Sequence, residues 1–201
     1  MLQSTSIRES VNTIARRMDR EKDILFLFLT SHGSKKHELT LNQNGIELRD
    51  LEAKELGKLL KESGIRWKVV LVSACYAGGF IDPLKDEHTM VIAAARHDRT
   101  SFGCSDENDF TYFGKAFFQE SLPGARSFGE AFRTARTLVA QWEAKDFNKV
   151  EGGKDDEQMH SEPQIHHPGL IEQYLDRWRA QLVTPRPGMA GPMSKSVSDE
   201  K

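Results

Sequence analysis

The chain has 201 residues, which at roughly 150 residues per domain is enough for one domain with short appendages. Its 28 basic and 30 acidic residues leave a formal net charge of −2, which argues against nucleic acid as the main partner, since phosphate binding needs a clustered basic excess. The longest apolar run, Ile24–Leu29, is far shorter than the roughly 20 residues of a membrane span, and two cysteines are too few for a disulfide scaffold. Because no secretory signal is readable at the start of the chain, a cytoplasmic, reducing compartment is the default expectation.

The first half of the chain predicts four elements in order. They are a helix over residues 6–19, a strand over residues 23–30, a hairpin over residues 39–48 and a helix that begins near residue 51. Ser6 and Glu9 have the spacing of a capping box at the start of the first helix. Asn44-Gly45 is the preferred pair for a tight hairpin turn, and Gly64 stands where a terminal glycine would end the second helix.

Three apolar runs, at residues 24–29, 68–75 and 90–95, predict strands that are buried on both faces, as in a parallel sheet covered by helices. The other predicted elements are helices over residues 111–119 and 127–142, a polar loop over 143–160, a strand over 161–166 and a helix over 170–182. Apolar strands separated by helices indicate an α/β sandwich with a mainly parallel sheet. We expect one domain over residues 1–183 and a disordered tail over residues 184–201, which has three prolines, two glycines and no periodicity.

Two polar segments directly follow predicted buried strands. His32-Gly33 follows the first strand, and Cys75 ends the second. Since ligands bind at the carboxyl ends of parallel strands, the two side chains are expected to emerge at one edge of the sheet. A thiolate is a good nucleophile, and a nearby imidazole can stabilise it or protonate a leaving amine. Gly33 and Gly78-Gly79 would let backbone approach a substrate closely, and a backbone N–H there could hold an oxyanion.

Each of these residues alone has a plainer interpretation. A His-Gly pair after a strand is typical of a turn, and a single cysteine at a strand end is typical of a small buried hydrophobe. Two observations favour catalysis over the turn and the buried hydrophobe. His32 and Cys75 lie at the ends of predicted strands of the same kind, and the hairpin and helix between them suit a crossover connection.

The residues around the two strand ends resemble clan CD cysteine peptidases, in which a His block precedes a Cys block by about 50 residues in the caspase version. The closer resemblance is to peptidase family C13, the legumain and GPI-transamidase type. It rests on FLTSHGS at residues 28–34 and VLVSACYAGG at residues 70–79, with looser matches in AARHDRTSFGC at residues 94–104 and TYFG at residues 111–114.

The resemblance implies a caspase-like three-layer α/β/α sandwich and a cysteine endopeptidase acting on a peptide or protein substrate. Carried over by position, Cys75 would be the nucleophile and His32 the general acid/base, and the N–H groups of Gly33 and Cys75 would form the oxyanion hole. Three further residues would border the S1 pocket, namely Ser73, Thr100 and Ser101. No cofactor is implied, and adjacent His166-His167 lacks the companion ligands of a metal site.

Two substitutions relative to the family pattern concern the pocket. Legumain-type enzymes carry a Glu two residues before the Cys, where this chain has Ser73, and an Asp where Lys115 follows Gly114. A pocket that loses two acids and gains a lysine is expected to accept a neutral or acidic P1 residue, and an Asn preference does not carry over.

A further departure concerns the N-terminus. The family fold implies strands before the His strand, but only about 20 residues precede it here, and their spacing predicts a helix. We therefore expect the N-terminal strands to be missing and residues 24–29 to form an apolar edge strand, which is prone to aggregation. A piece of a longer protein, a truncated gene model or a second chain that covers the edge would each explain this.

Three alternatives to hydrolysis stay open. An amine in place of water at the thioester would make the chain a transamidase or peptide ligase of the same family. A non-catalytic pseudo-peptidase would use the same cleft to bind peptides. A redox protein would instead use Cys75 and Cys104 as a dithiol.

Overall fold

The computed structural model of the chain describes residues 2–41, 49–103, 110–147 and 160–183. Its helices are α1 (Leu2–Arg17), α2 (Ala53–Glu62), α3 (Ile81–Leu84), α4 (Tyr112–Gly114), α5 (Phe128–Phe147) and α6 (Gly169–Val183). Its strands are β1 (Ile24–Thr30), β2 (Glu38–Leu39), β3 (Leu51–Glu52), β4 (Trp67–Ser73), β5 (Thr89–Ala93) and β6 (Gln164–His166). Two short 3-10 turns, Ala77–Phe80 and Leu122–Gly124, and a π-helical segment, Lys115–Ser121, complete the described elements.

The central sheet is mainly parallel, as expected. In the described residues its strand order is β1-β4-β5-β6. Strand β4 runs parallel to β1 on one side and to β5 on the other, whereas β6 is antiparallel to β5. Because the parallel strands all end at the same edge, the segments that follow β1, β4 and β5 are brought together there.

The sheet is covered on both faces, which confirms the three-layer α/β/α architecture. Every residue of β4 and β5 is buried. Alternate residues of β4 point to opposite faces. Val70 and Val72 pack with residues of α1 and α2 in one core, while Val69 and Leu71 pack with α5 and α6 in the other.

Strand β1 departs from the expectation of burial on both faces. Phe26 and Phe28 are 42% and 41% exposed, although both rings contact Phe118. This exposure follows from the place of β1 in the sheet. In the part of the sheet that the structure describes, β1 is the first strand and pairs with β4. The expected edge position of β1 therefore agrees with the described sheet, and what covers its outer edge stays a prediction.

Helix ends follow the predicted signals in two places. Gly64 has a left-handed φ of +70° just after α2, as a terminal glycine does. Ser127 accepts a hydrogen bond from the N–H of Glu130 at the start of α5. Helix α5 then continues to Phe147, so the predicted polar loop begins later than residue 143.

Several predictions lie wholly or partly outside the described residues. The Asn44-Gly45 turn, Cys104 and the tail at residues 184–201 are among them. Strand Glu38–Leu39 pairs with strand Leu51–Glu52. This pairing begins one residue before the predicted hairpin range of 39–48 and ends four residues after it. None of the described helices is both long and apolar enough to cross a membrane.

Candidate active site

The two predicted catalytic side chains follow neighbouring parallel strands at matching positions. Thr30 at the end of β1 pairs in register with Ser73 at the end of β4. His32 and Cys75 each lie two residues beyond that pair. The parallel register therefore brings the two segments out of the sheet side by side, at the edge where ligands bind in this class of fold.

Cys75 is a free, half-buried thiol whose sulfur faces Ser101. The backbone N–H of Ser101 donates to Cys75 Sγ at 3.2 Å, and the Ser101 carbonyl oxygen lies 3.6 Å from the sulfur. A thiolate can accept the N–H, and a thiol can donate to the carbonyl, so the contact accommodates both protonation states.

His32 belongs to a tight hairpin over residues 31–40, here called the histidine loop. The His32 carbonyl accepts the N–H of Thr40 at 2.9 Å, and the Ser31 hydroxyl donates to the Thr40 carbonyl at 2.6 Å. Gly33 forms an antiparallel bridge with Leu39 inside the loop. His32 is exposed, which is compatible with its predicted role as an acid/base that reaches a substrate.

The segment that carries the thiol, residues 75–80, is here called the cysteine turn. Tyr76 has a left-handed φ of +59°, and its N–H donates to the Arg99 carbonyl at 2.7 Å. The N–H of Gly78 donates to the Ala95 carbonyl at 2.8 Å. These hydrogen bonds hold the cysteine turn against the segment that follows β5. The same segment contains Ser101, whose N–H contacts the sulfur of Cys75.

The glycines near the thiol are packed against the protein itself. A Cβ on Gly33 would overlap the carbonyl oxygen of Cys75, and one on Gly78 would lie 2.5 Å from the His97 nitrogen. A Cβ on Gly79 would overlap the ring of His37. These glycines, which the sequence suggests would make room for substrate, instead allow close internal contacts.

The predicted pocket residues fall into different surroundings. Ser101 contacts the sulfur through its backbone, and Thr100 beside it is exposed. Ser73 is 1% exposed, and its hydroxyl lies 3.0 Å from the hydroxyl of Thr111. Thr111 also caps α4 by accepting the N–H of Gly114, so the TYFG segment at residues 111–114 is tied to the carboxyl end of β4.

Behind the cysteine turn lies a network of charged side chains. Arg96 donates to Asp98 at 2.6 Å and to Glu162 at 2.6 Å, and Arg99 lies within 3.9 Å of Asp98. The hydrogen bond from Arg96 lowers the pKa of Asp98 to about 2, while it raises the pKa of the Arg96 guanidinium. Asp98 therefore stays ionised over the pH range in which thiols and imidazoles ordinarily titrate.

Sequence reasoning missed one residue at this edge. His37 lies in a polar stretch that gives no sign of burial, yet it is half-buried and its Nδ1 lies 3.3 Å from the Tyr76 carbonyl oxygen. The Gly78-Gly79 pair was the available signal, since a glycine can mark a place where another group approaches closely. In the described residues, no cluster of three or more potential metal ligands occurs, and the His166-His167 pair lies at the end of β6 and beyond it.

Comparison with known proteins agrees with this description. The chain matches the model of the Peptidase C13 family over residues 6–158. It is also similar to the crystal structure of Caspase-1 from Spodoptera frugiperda, with a TM-score of 0.56 and 17% sequence identity over 82% of this chain and 67% of that chain. No curated protein sequence matches the chain. The structural likeness shows a caspase-like fold.

Proposed function

Because the chain belongs to the peptidase C13 family and has a caspase-like fold, which support a cysteine peptidase-type function, we propose that it is a cysteine endopeptidase. Cys75 is the proposed nucleophile and His32 the proposed general acid/base. The observation that supports this assignment most is the parallel register that pairs Thr30 with Ser73. His32 lies two residues beyond Thr30, and Cys75 lies two residues beyond Ser73. The half-buried thiol with an N–H donor from Ser101 adds support.

The proposed acylation step is an attack on a peptide carbonyl. The thiolate sulfur of Cys75 forms a bond to the carbonyl carbon, and the carbonyl electron pair moves to the oxygen. The N–H groups of Gly33 and Cys75 are proposed to bind this oxyanion. As the C–N bond breaks, His32 gives a proton to the leaving amine, and the acyl group remains on sulfur as a thioester.

Deacylation returns the enzyme to its starting state. His32 accepts a proton from water, whose oxygen attacks the thioester carbon. The C–S bond then breaks, the acid product leaves, and the thiolate is regenerated. An amine that reaches the thioester before water would instead form a new amide bond, which is the transamidase or ligase variant.

The proposed substrate pocket is bordered by Ser73, Thr100 and Ser101. Ser73 and Thr111 pair through hydroxyls, and Thr111 Oγ1 also accepts the Gly114 N–H. Whichever hydroxyl donates within the pair, the other keeps a hydrogen for a further acceptor. A neutral floor that offers a donor suits a P1 side chain with an acceptor oxygen, which fits a neutral or acidic P1 residue better than a basic one.

Mass spectrometry of the intact protein tests the assignment. Wild type, His32→Ala and Cys75→Ala are treated with a library of peptide acyloxymethylketones that differ at P1. We expect a single adduct on Cys75 in wild type whose rate depends on P1, no adduct on Cys75→Ala and strongly slowed labelling of His32→Ala. His167→Ala and Cys104→Ser serve as matched controls for the two residue types and should label like wild type.

The same experiment separates the alternatives. A folded wild type that does not label at all contradicts the peptidase and favours the pseudo-peptidase. Reversible formation of a disulfide between Cys75 and Cys104, with no effect of His32→Ala, favours the dithiol. Peptide cleavage with and without an added amine, analysed by mass, distinguishes an acid product from a new amide.

A further inference from the structure

The histidine loop and the cysteine turn contact one another at His37 as well as near the catalytic residues. The first contact is between Gly33 and the Cys75 carbonyl, where there is no room for a side chain on the glycine. The second is made by the imidazole of His37, which lies against Gly79 and reaches the Tyr76 carbonyl. The side chain of His37 therefore lies between the two segments that carry the proposed catalytic pair.

The backbone of His37 is unusual. The N–H of His37 donates to the Ser34 carbonyl at 2.9 Å, which closes a turn with Lys35 and Lys36 at its tip. His37 follows with a left-handed φ of +61°, the conformation that a three-residue hairpin loop needs at this point and for which glycine is the usual choice. A side chain at such a position costs free energy, so its presence points to a role for the side chain.

The partner of His37 has the same unusual backbone. Tyr76, immediately after the nucleophile, has a φ of +59°, and its carbonyl is the group that His37 Nδ1 approaches at 3.3 Å. Because a carbonyl can only accept, Nδ1 must carry the hydrogen. The bond thus restrains the Tyr76–Ala77 peptide group, which begins one residue beyond Cys75 in the cysteine turn.

We propose that His37 is a positioning residue, which holds the cysteine turn against the histidine loop so that Cys75 faces His32 and the oxyanion donors. This role rests on the proposed peptidase function. His37 does not touch the reacting atoms itself, and it acts through the Tyr76 carbonyl and through its contact with Gly79. A displacement of about 1 Å at a reacting group can cost about 100-fold in rate, so loss of this contact should slow the chemical step rather than weaken binding.

Two substitutions at residue 37 separate the side chain from the backbone. His37→Gly removes the ring without adding strain at a left-handed φ. His37→Asn tolerates the same φ and places an amide N–H close to the position of Nδ1. With a peptide acyloxymethylketone, we expect His37→Gly to lower the maximal rate of Cys75 alkylation about 10- to 100-fold, with the half-saturating concentration within about twofold of wild type. His37→Asn should recover most of the lost rate.

A second pair of variants tests the contact with Gly79. Gly79→Ala should slow alkylation in the wild-type background, because the new methyl group overlaps the His37 ring. In the His37→Gly background this overlap is gone, so the same substitution should have a smaller further effect. Gly124→Ala is the matched control, since a Cβ there meets no atom within 4 Å. Thermal unfolding of every variant shows that each is folded at the assay temperature.

The outcomes distinguish a failure of this proposal from a failure of the proposed function. A wild type that fails to react contradicts the peptidase and, with it, the positioning role. If wild type reacts and His37→Gly reacts equally fast, only the role of His37 is overturned. Additive effects of Gly79→Ala and His37→Gly, or an Asn variant as slow as the Gly variant at unchanged thermal stability, also overturn it.

Discussion

His32 and Cys75 occupy equivalent positions on neighbouring parallel strands, each two residues beyond the paired residues Thr30 and Ser73. Because the two strands are parallel, the segments that follow them leave the sheet in the same direction. Equivalent positions in the register are therefore also equivalent positions in space. A mismatch in register by even two residues would separate the two side chains by about 7 Å along the strands. The catalytic geometry of the proposed peptidase thus depends on the pairing of β1 with β4.

The N–H of Ser101 is expected to increase the reactivity of the thiol. Ser101→Pro removes the donor that lies 3.2 Å from Cys75 Sγ, while Ser101→Ala retains it. A hydrogen bond to a charged group contributes about 1.5–3 kcal/mol, so iodoacetamide should alkylate the Pro variant about 10- to 100-fold more slowly than the Ala variant at neutral pH. Equal rates for the two variants would show that this contact does not stabilise the thiolate.

The Ser73–Thr111 hydroxyl pair is expected to influence P1 preference. Ser73→Ala removes the buried hydroxyl that pairs with Thr111 at 3.0 Å. Loss of one neutral hydrogen bond should lower kcat/KM for substrates with a polar P1 side chain about 5- to 10-fold, and should affect an apolar P1 less. The effect on alkylation by iodoacetamide, which needs no pocket, should be smaller. Wild-type cleavage only after Lys or Arg would contradict the neutral or acidic P1 preference.

The two strands that precede the site should differ in their contribution to stability. Leu71→Ala in β4 opens a cavity in a fully buried layer and should lower the free energy of unfolding by about 2–5 kcal/mol. Phe28→Ala in β1 should cost at most about 2 kcal/mol, because that ring is 41% exposed. Urea denaturation measures both, with the exposed Thr134→Ala in α5 as a control. A cost for Phe28→Ala that equals the cost for Leu71→Ala would contradict the edge position of β1.

Glu143 should make stability depend on pH. Burial raises the pKa of this carboxyl above its ordinary value of 4.5, although the hydrogen bond from Ser161 partly offsets the shift. Between 4.5 and the raised value, the folded chain keeps a proton that the unfolded chain releases, so the free energy of unfolding falls as pH rises through that interval.

Comparison with a variant isolates this contribution. Glu143→Gln cannot titrate, so its stability relative to wild type should increase as pH rises from about 4 to about 7. Chemical denaturation at a series of pH values measures the difference. The exposed Glu120→Gln should show no such trend, and a flat difference for Glu143→Gln would mean that its side chain is not held in its protonated form.

Much of the fold was predictable because the strongest signals are local. The uninterrupted apolar runs at β4 and β5 predict strands buried on both faces, and both are fully buried. The same reasoning was wrong for β1, whose apolar sequence resembles that of β4 while Phe26 and Phe28 remain partly exposed. Composition reports how apolar a strand is, but the number of its neighbours in the sheet is a property of the whole fold.

The sequence by itself determined the secondary structure that carries His32 and Cys75, and their placement at strand ends, because periodicity and chain order are written in consecutive residues. Only the tertiary structure decided that Ser101 faces the sulfur, that Thr111 pairs with Ser73, and that His37 lies on Gly79. Each of these contacts joins residues distant in the chain. Their geometry depends on strand register and on close packing between loops, neither of which leaves a periodic trace in the sequence.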